Sequence, residues 1–181
     1  MRTEAEEIAL AAAGDRLAQS ALVSRHMPAV YAVARRMLRD DAGAEDVTQE
    51  AFLRAWKALP NWEPKAKFST WLHRVAMNLC YDRLRKKRES LPGDDLPDQV
   101  DTALRPDQAL DNAQKGAAID EAISALPDRQ RAAVTLCLID GETNISAAEI
   151  LGISVEALES LLSRGRRTLR AQLAELKEKR S

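Results

Sequence analysis

With 181 residues the chain can build one domain or two small ones, each with a modest core. A formal net charge of −1 excludes a protein drawn to nucleic acid by its overall field, so any such binding must come from local surfaces. The charge is unevenly laid out: residues 1–92 carry 16 Lys/Arg against 12 Asp/Glu, residues 93–128 carry 2 against 9, and residues 129–181 carry 9 against 7. Two mildly basic lobes flank an acidic middle, a layout for two contact surfaces and a tether.

In chain order, residues 3–13 read as a short helix. The acidic stretch MRTEAEEIALAAAGDR lacks a basic segment ahead of its apolar run, so it is no signal peptide. Nor does any apolar run approach the roughly 20 residues needed to span a bilayer. A soluble cytoplasmic protein without membrane insertion is expected. Residues 16–38 form a long helix whose apolar face is Leu17, Ala21, Leu22, Met27, Val30, Val33, Ala34, Met37 and Leu38, with Pro28 expected to kink or break it. Asp40, Asp41 and Gly43 form a turn, and a helix from Ala44 to Leu59 ends at Pro60. Residues 61–67 are a loop anchored by Trp62.

Phe68 to Arg88 is the segment around which the first lobe is organised. On a helix, Phe68, Trp71, Leu72, Val75, Ala76 and Leu79 fall within one apolar arc. The opposite side carries Thr70, His73, Arg74, Met77, Asn78, Tyr81 and Arg85. Five of the last six residues, Arg83 and Arg85 to Arg88, are basic. Phosphates seek such cations, and exposed bases seek Asn, Tyr and Arg, so this helix suits a separated nucleic-acid strand. The bland alternative is an amphipathic surface helix with a solvated basic tail.

Residues 90–112 hold three prolines, six aspartates, one glycine and few large apolar groups, a composition that cannot form a core. They read as a flexible acidic linker, which divides the chain into residues 1–92, a tether over 93–113, and residues 114–181. The second lobe restarts with a helix at about Lys115–Ala125, closed by Leu126-Pro127. A helix over Asp128–Ile139 follows, capped by Asp128 and stopped by Gly141. Then come a short helix Ser146–Leu151, a turn at Gly152-Ile153-Ser154, and a long helix from Val155 towards Lys179. The fold class is all-α: two small helical domains on a flexible acidic tether.

Ile145 to Leu169 has the form of a helix-turn-helix. Ser146 and Glu149 make a capping box, Gly152 supplies positive φ for the turn, and Ser154 caps the second helix. Ala148, Ile150, Leu151, Ile153, Leu158 and Leu162 can pack across the turn. The second helix would present Glu156, Glu159, Ser160, Ser163 and Arg164 to the major groove, with Arg166, Arg167 and Arg170 near phosphates. A helical hairpin with no DNA role is the alternative. In the first lobe, Asp46, Gln49, Glu50 and Leu53 share the outer face of their helix, opposite Val47, Ala51, Phe52, Ala55, Trp56 and Leu59. A leucine among two carboxylates and an amide is either a protein-docking patch or an ordinary solvated face.

Catalysis finds little support. His26 and His73 have no nucleophile or metal partner at recognisable spacing, and there is no phosphate-cradling glycine loop. No cofactor and no metal are expected. Cys80 and Cys137 lie in apolar helical patterns without metal-ligand spacing and read as buried reduced thiols.

DAGAEDVTQEAFLRAWKAL, KFSTWLHRVAMNLCYDRLRKKRE and LPDRQRAAVTLCLIDGETNISAAEILGISVEALESLLSRGRRTLR, in that order, resemble regions 2.2, 2.3/2.4 and 4 of bacterial RNA polymerase sigma factors of the extracytoplasmic-function (group IV) class. The resemblance runs from about Leu17 to Leu173. It implies that Asp46, Gln49, Glu50 and Leu53 dock on the clamp helices of core RNA polymerase. It implies that Asn78 reads a base flipped from the −10 element of promoter DNA, beside His73, Arg74, Met77, Tyr81, Arg85, Lys86 and Arg88. It implies that Ser154, Glu156, Glu159, Ser160, Ser163, Arg164, Arg166 and Arg167 read the −35 element. An anti-sigma factor as inhibitor and a monomer when free are further expectations, with the lobes packed together or held by that inhibitor until polymerase spreads them. Two departures stand out. Glu159 and Leu161 occupy positions where the family commonly has basic residues, which weakens phosphate attraction and changes which bases are read. The family's Gly-x-Ser ahead of the motif is stretched here to Gly141-Glu-Thr-Asn-Ile-Ser. Two rivals remain at this point: a dimeric helix-turn-helix regulator whose first lobe senses a signal, and a helical adaptor with no DNA role.

Overall fold

The structure, a computed structural model, describes residues 2–63, 65–90 and 110–178, with side chains of the last segment from 116 to 175. Most of the linker expected over 93–113 therefore lies outside the described residues. Among those described there are eight α-helices and no strand.

α1 (Glu4–Ala12) opens with a reciprocal cap: the Thr3 hydroxyl accepts from the Glu6 N–H and the Glu6 carboxylate accepts from the Thr3 N–H. α2 (Arg16–Leu38) is capped by Asp15 and continues as one helix through Pro28, so of the expected kink or break the break is not made. Pro28 and Ser24, whose carbonyl it cannot bond, are both exposed, so the carbonyl left without its helical donor is open to solvent. Two residues assigned to the apolar face of α2 are solvent-exposed, Leu17 at 78% and Met27 at 46%; Ala18 is buried instead. α3 (Asp41–Ala58) starts earlier than expected, with Asp41 and the buried Gly43 inside the helix rather than in a turn. A 3₁₀ turn, Leu59–Asn61, absorbs Pro60. Trp62 is the anchor expected of it, meeting Phe68 and Trp71 edge-on.

α4 (Phe68–Glu89) buries Phe68, Leu72 and Ala76 within the first lobe, while Trp71, Val75 and Leu79 are only half-buried. α5 (Leu110–Ser124) begins inside the stretch assigned to the linker. α6 (Asp128–Val134) is capped by Pro127, with Asp128 at its first position rather than as the cap. There the Asp128 carboxylate accepts from Arg131, a buried guanidinium that also donates to the Ser124 carbonyl at 2.7 Å. The expected continuous helix to Ile139 changes winding: Thr135–Ile139 is a π-helical turn that ends at Asp140. α7 (Asn144–Leu151) is capped by Thr143, whose hydroxyl accepts from the Ser146 N–H at 3.1 Å, so the capping box assigned to Ser146 starts one turn too late. α8 (Val155–Glu178) packs on α6 and α7.

The two lobes are not separate. One continuous core runs from Ala11 and Leu22 through Met77 and Cys80 to Ala147, Ile150 and Leu162. α7 lies against α4, and α5, α6 and the π turn touch α2.

Candidate nucleic-acid interface

The turn Gly152–Ser154 joins α7 to α8 as read from the sequence. Gly152 sits at φ 65°, and the Ser154 hydroxyl accepts from the Ala157 N–H at 3.1 Å. Leu158 and Leu162 of α8 are buried, as are Ala148 and Ile150 of α7; Leu151 and Ile153 are half-buried. With that side sealed, Glu156, Glu159, Ser163, Arg164, Arg166 and Arg167 are exposed. Ser160 is half-buried because Arg164 folds back to donate to its hydroxyl at 2.9 Å. Leu161 turns towards the core, which accounts for an apolar residue at a position where the resemblance expects a cation. The Glu156 carboxyl is held below the usual carboxylate range by its own backbone N–H and the Ser154 hydroxyl, so it is anionic at the start of the helix.

The α4 surface divides in two. Arg74, Asn78, Arg85, Lys86 and Arg88 are exposed, as expected. His73 and Met77, placed by the sequence on the same open side, are buried, and Tyr81 is half-buried. Thr70 is buried too. The reason is tertiary. His73, Met77 and Tyr81 recur every four residues and so share one stripe, and the second lobe lies on it. Nδ1 of His73 is 4.0 Å from Oε1 of Glu142, and Arg129 and Arg131 face Tyr81. Burial lowers the His73 pKa from its ordinary value, against the pull of Glu142 and with a push from His26. Burial pushes the Tyr81 hydroxyl up to about 12. Two ion pairs close the edges of this seam: Nη1 of Arg36 to Oδ1 of Asp140 at 3.0 Å, and Arg88 to Asp128. These seam residues escaped the sequence reading because nothing in a single sequence pairs positions 104 apart.

On α3, Asp46, Gln49, Glu50 and Leu53 come together as expected. They line one open groove with Arg54, Leu79, Asp82, Arg83 and Lys86, in which Leu53 is 53% exposed. Arg83 reaches across from α4 to Asp46 at 3.0 Å, and Arg54 holds Glu50 at 2.8 Å. The cysteines are free; Cys80 is buried, with its thiol pushed up to about 12 by burial, and Cys137 is half-buried. Among the described residues no group of acidic, His or Cys side chains is arranged to hold a metal, and no helix is long and apolar enough to cross a membrane.

A helical protein of two apposed lobes, the second a helix-turn-helix, is the class these observations define. The chain matches the Sigma-70 region 2 family over residues 22–90 and the Sigma-70, region 4 family over residues 116–169. It is 35% identical over 173 residues to the ECF RNA polymerase sigma factor SigW of Bacillus subtilis, covering 90% of this chain and 92% of that protein. Among solved structures, CnrH in complex with the cytosolic domain of CnrY is similar at a TM-score of 0.70 and 28% identity, over 93% of this chain and 96% of that one. RpoE in complex with the anti-sigma factor NepR, from Bartonella quintana, is similar at 0.70 and 26%, over 86% and 96%. The chain belongs to the extracytoplasmic-function class of RNA polymerase sigma factors, which direct core RNA polymerase to promoters.

Proposed function

We propose that the three exposed surfaces divide the work of promoter selection, and that the closed arrangement of the lobes is the idle state of the free monomer. The groove around Leu53, with Asp46, Gln49 and Glu50, docks on core polymerase. The α4 surface centred on Asn78, with Arg74, Arg85, Lys86 and Arg88, holds the unwound −10 strand and takes a flipped base, whose unstacking costs a few kcal/mol that hydrogen bonds in a pocket recover. α8 enters the major groove of the −35 element. Residues 1–92 and 114–181 are then the two reading domains, joined by 93–113.

The observation that carries this reading is the split face of α4. Asn78 is exposed while His73 and Met77, four residues apart on the adjoining stripe, are shut beneath the second lobe. The −10 surface is therefore complete only when the lobes part. Polymerase, by holding them at promoter spacing, turns two weak readers on a tether of about 20 residues into one bivalent reader. An anti-sigma factor holds the cytoplasmic free pool shut. This is supported by the similarity to RpoE held by NepR, and by apolar side chains left open on each lobe, Leu53 on the first and Leu138 and Ile145 on the second.

The test is run-off transcription with purified chain and core polymerase on a promoter library. Asn78→Ala is expected to lower open-complex formation while binding to core polymerase persists. Leu53→Ala or Glu50→Ala is expected to weaken core binding instead. Asn78→Ala with undiminished promoter melting overturns the assignment of α4.

A further inference from the structure

Resting on the proposed entry of α8 into the −35 groove, we infer that Glu159 selects a cytosine in that element. α8 has an uneven charge along its exposed side. Glu156 and Glu159 lead, and Arg164, Arg166, Arg167 and Arg170 follow. Glu156 is explained without DNA, because it sits in the first turn where the helix dipole and the Ser154 hydroxyl favour a carboxylate. Glu159 is beyond that turn, and the dipole effect fades within one turn. It is exposed, and its Oε1 lies 3.5 Å from the side-chain amide of Asn144, at the outer limit of a hydrogen bond, on the first residue of α7. That contact ties the carboxylate to the side of α8 next to the first helix of the motif.

The first helix of such a motif crosses the DNA backbone, and the N-terminal residues of the second meet base edges. A carboxylate there is a costly choice, since phosphates repel it; the arginines one to three turns later keep the helix attractive overall. What it gains is discrimination. An ionised carboxylate only accepts hydrogen bonds. Guanine shows two acceptors in the major groove and thymine shows an acceptor and a methyl group, so both repel it. Adenine offers its N6 amino group but sets the N7 lone pair beside it. Cytosine alone offers the N4 amino donor with no neighbouring acceptor of its own. Glutamine carries both a donor and an acceptor and matches the adenine N6/N7 pair.

The experiment is transcription by the reconstituted holoenzyme from templates randomised across the −35 element, for wild type, Glu159→Gln and Glu159→Ala. Wild type is expected to enrich cytosine at one position of one strand on the order of tenfold. Glu159→Gln is expected to move that preference to adenine at the same position, and Glu159→Ala to flatten it there. Glu159 is exposed and Gln has the same shape, so loss of fold does not mimic a change confined to one base position. Base preferences identical in all three proteins, on a −35 element that is otherwise still selected, overturn the role of Glu159 and leave the placement of α8 standing. A library without any −35 preference, together with Arg166→Ala and Arg167→Ala having no effect on output, overturns both.

Discussion

At Gly152 the chain must turn from α7 into α8 with φ of 65°. A Cβ added there meets only Nη2 of Arg74, at an ordinary 3.5 Å, so the penalty of a substitution is backbone strain and not a clash. An L-residue in this left-handed conformation costs about 1–2 kcal/mol. Gly152→Ala is therefore expected to lower the unfolding free energy measured in urea by that amount, moving the midpoint down, while leaving the far-ultraviolet circular dichroism helical. An unchanged midpoint would mean the turn relaxes without cost. This glycine was legible because no other residue type fits its conformation so freely. The cap of α7 was not: Thr143 and Ser146 are both hydroxyl residues three positions apart, either can cap, and the choice depends on where the preceding π turn ends.

Between elements, α8 comes close to α6 at Gly165. A Cβ at the buried Gly165 lands 2.8 Å from Cγ2 of Val134, with Gln130 behind it at 3.8 Å. Gly165→Ala must push the helices apart and is expected to destabilise by about 1–3 kcal/mol, as overpacking does. Gly116 in α5 is the opposite case: it is exposed and nothing lies within 4 Å of an added Cβ. Gly116→Ala is expected to stabilise by about 0.5–1 kcal/mol through helix propensity. Thermal unfolding of the pair should move in opposite directions, and a shared direction would show that α8 can slide. Helix existence and the inner half of α3 could be read directly, because Val47, Ala51, Phe52, Ala55 and Leu59 repeat at helical spacing and are all buried. α4 could be read only in part. It is buried on two sides, at Phe68, Leu72 and Ala76 and again at His73, Met77 and Cys80, and α7 of the second lobe packs against it, with Glu142 near His73. A single-face pattern cannot encode two partners, so Trp71 and Leu79 read as buried and His73 and Met77 as open, while the burial of Cys80 agrees with its reading as a buried thiol.

For the whole molecule, the seam responds to acid through groups on three elements. His73 on α4 faces Glu142 after the π turn and His26 on α2, and burial depresses its pKa below 6.5. A depressed histidine favours its neutral form in the closed state. Its contribution is fully present above about 6.5 and is lost as pH falls through the lower, closed-state value. Asp140, raised by burial against the pull of Arg36, acts with the opposite sign, since protonation relieves its buried charge. Small-angle scattering from pH 7.5 to 5.5 is expected to report a growing radius of gyration for wild type and a flat profile for His73→Phe. A radius that stays constant in wild type would show that Glu142 neutralises the imidazolium in place.

The burial of Cys80 has a consequence for handling the free protein. A thiol with a pKa of about 12 and no solvent contact is chemically silent at pH 8, whereas half-buried Cys137, whose thiol burial also pushes up, is expected to react first. Once the lobes separate, Cys80 lies beside Tyr81 on a wetted helix and regains ordinary nucleophilicity. Alkylation of the second sulfur, timed by mass spectrometry with and without core polymerase, then becomes an intrinsic stopwatch for the proposed opening of the lobes.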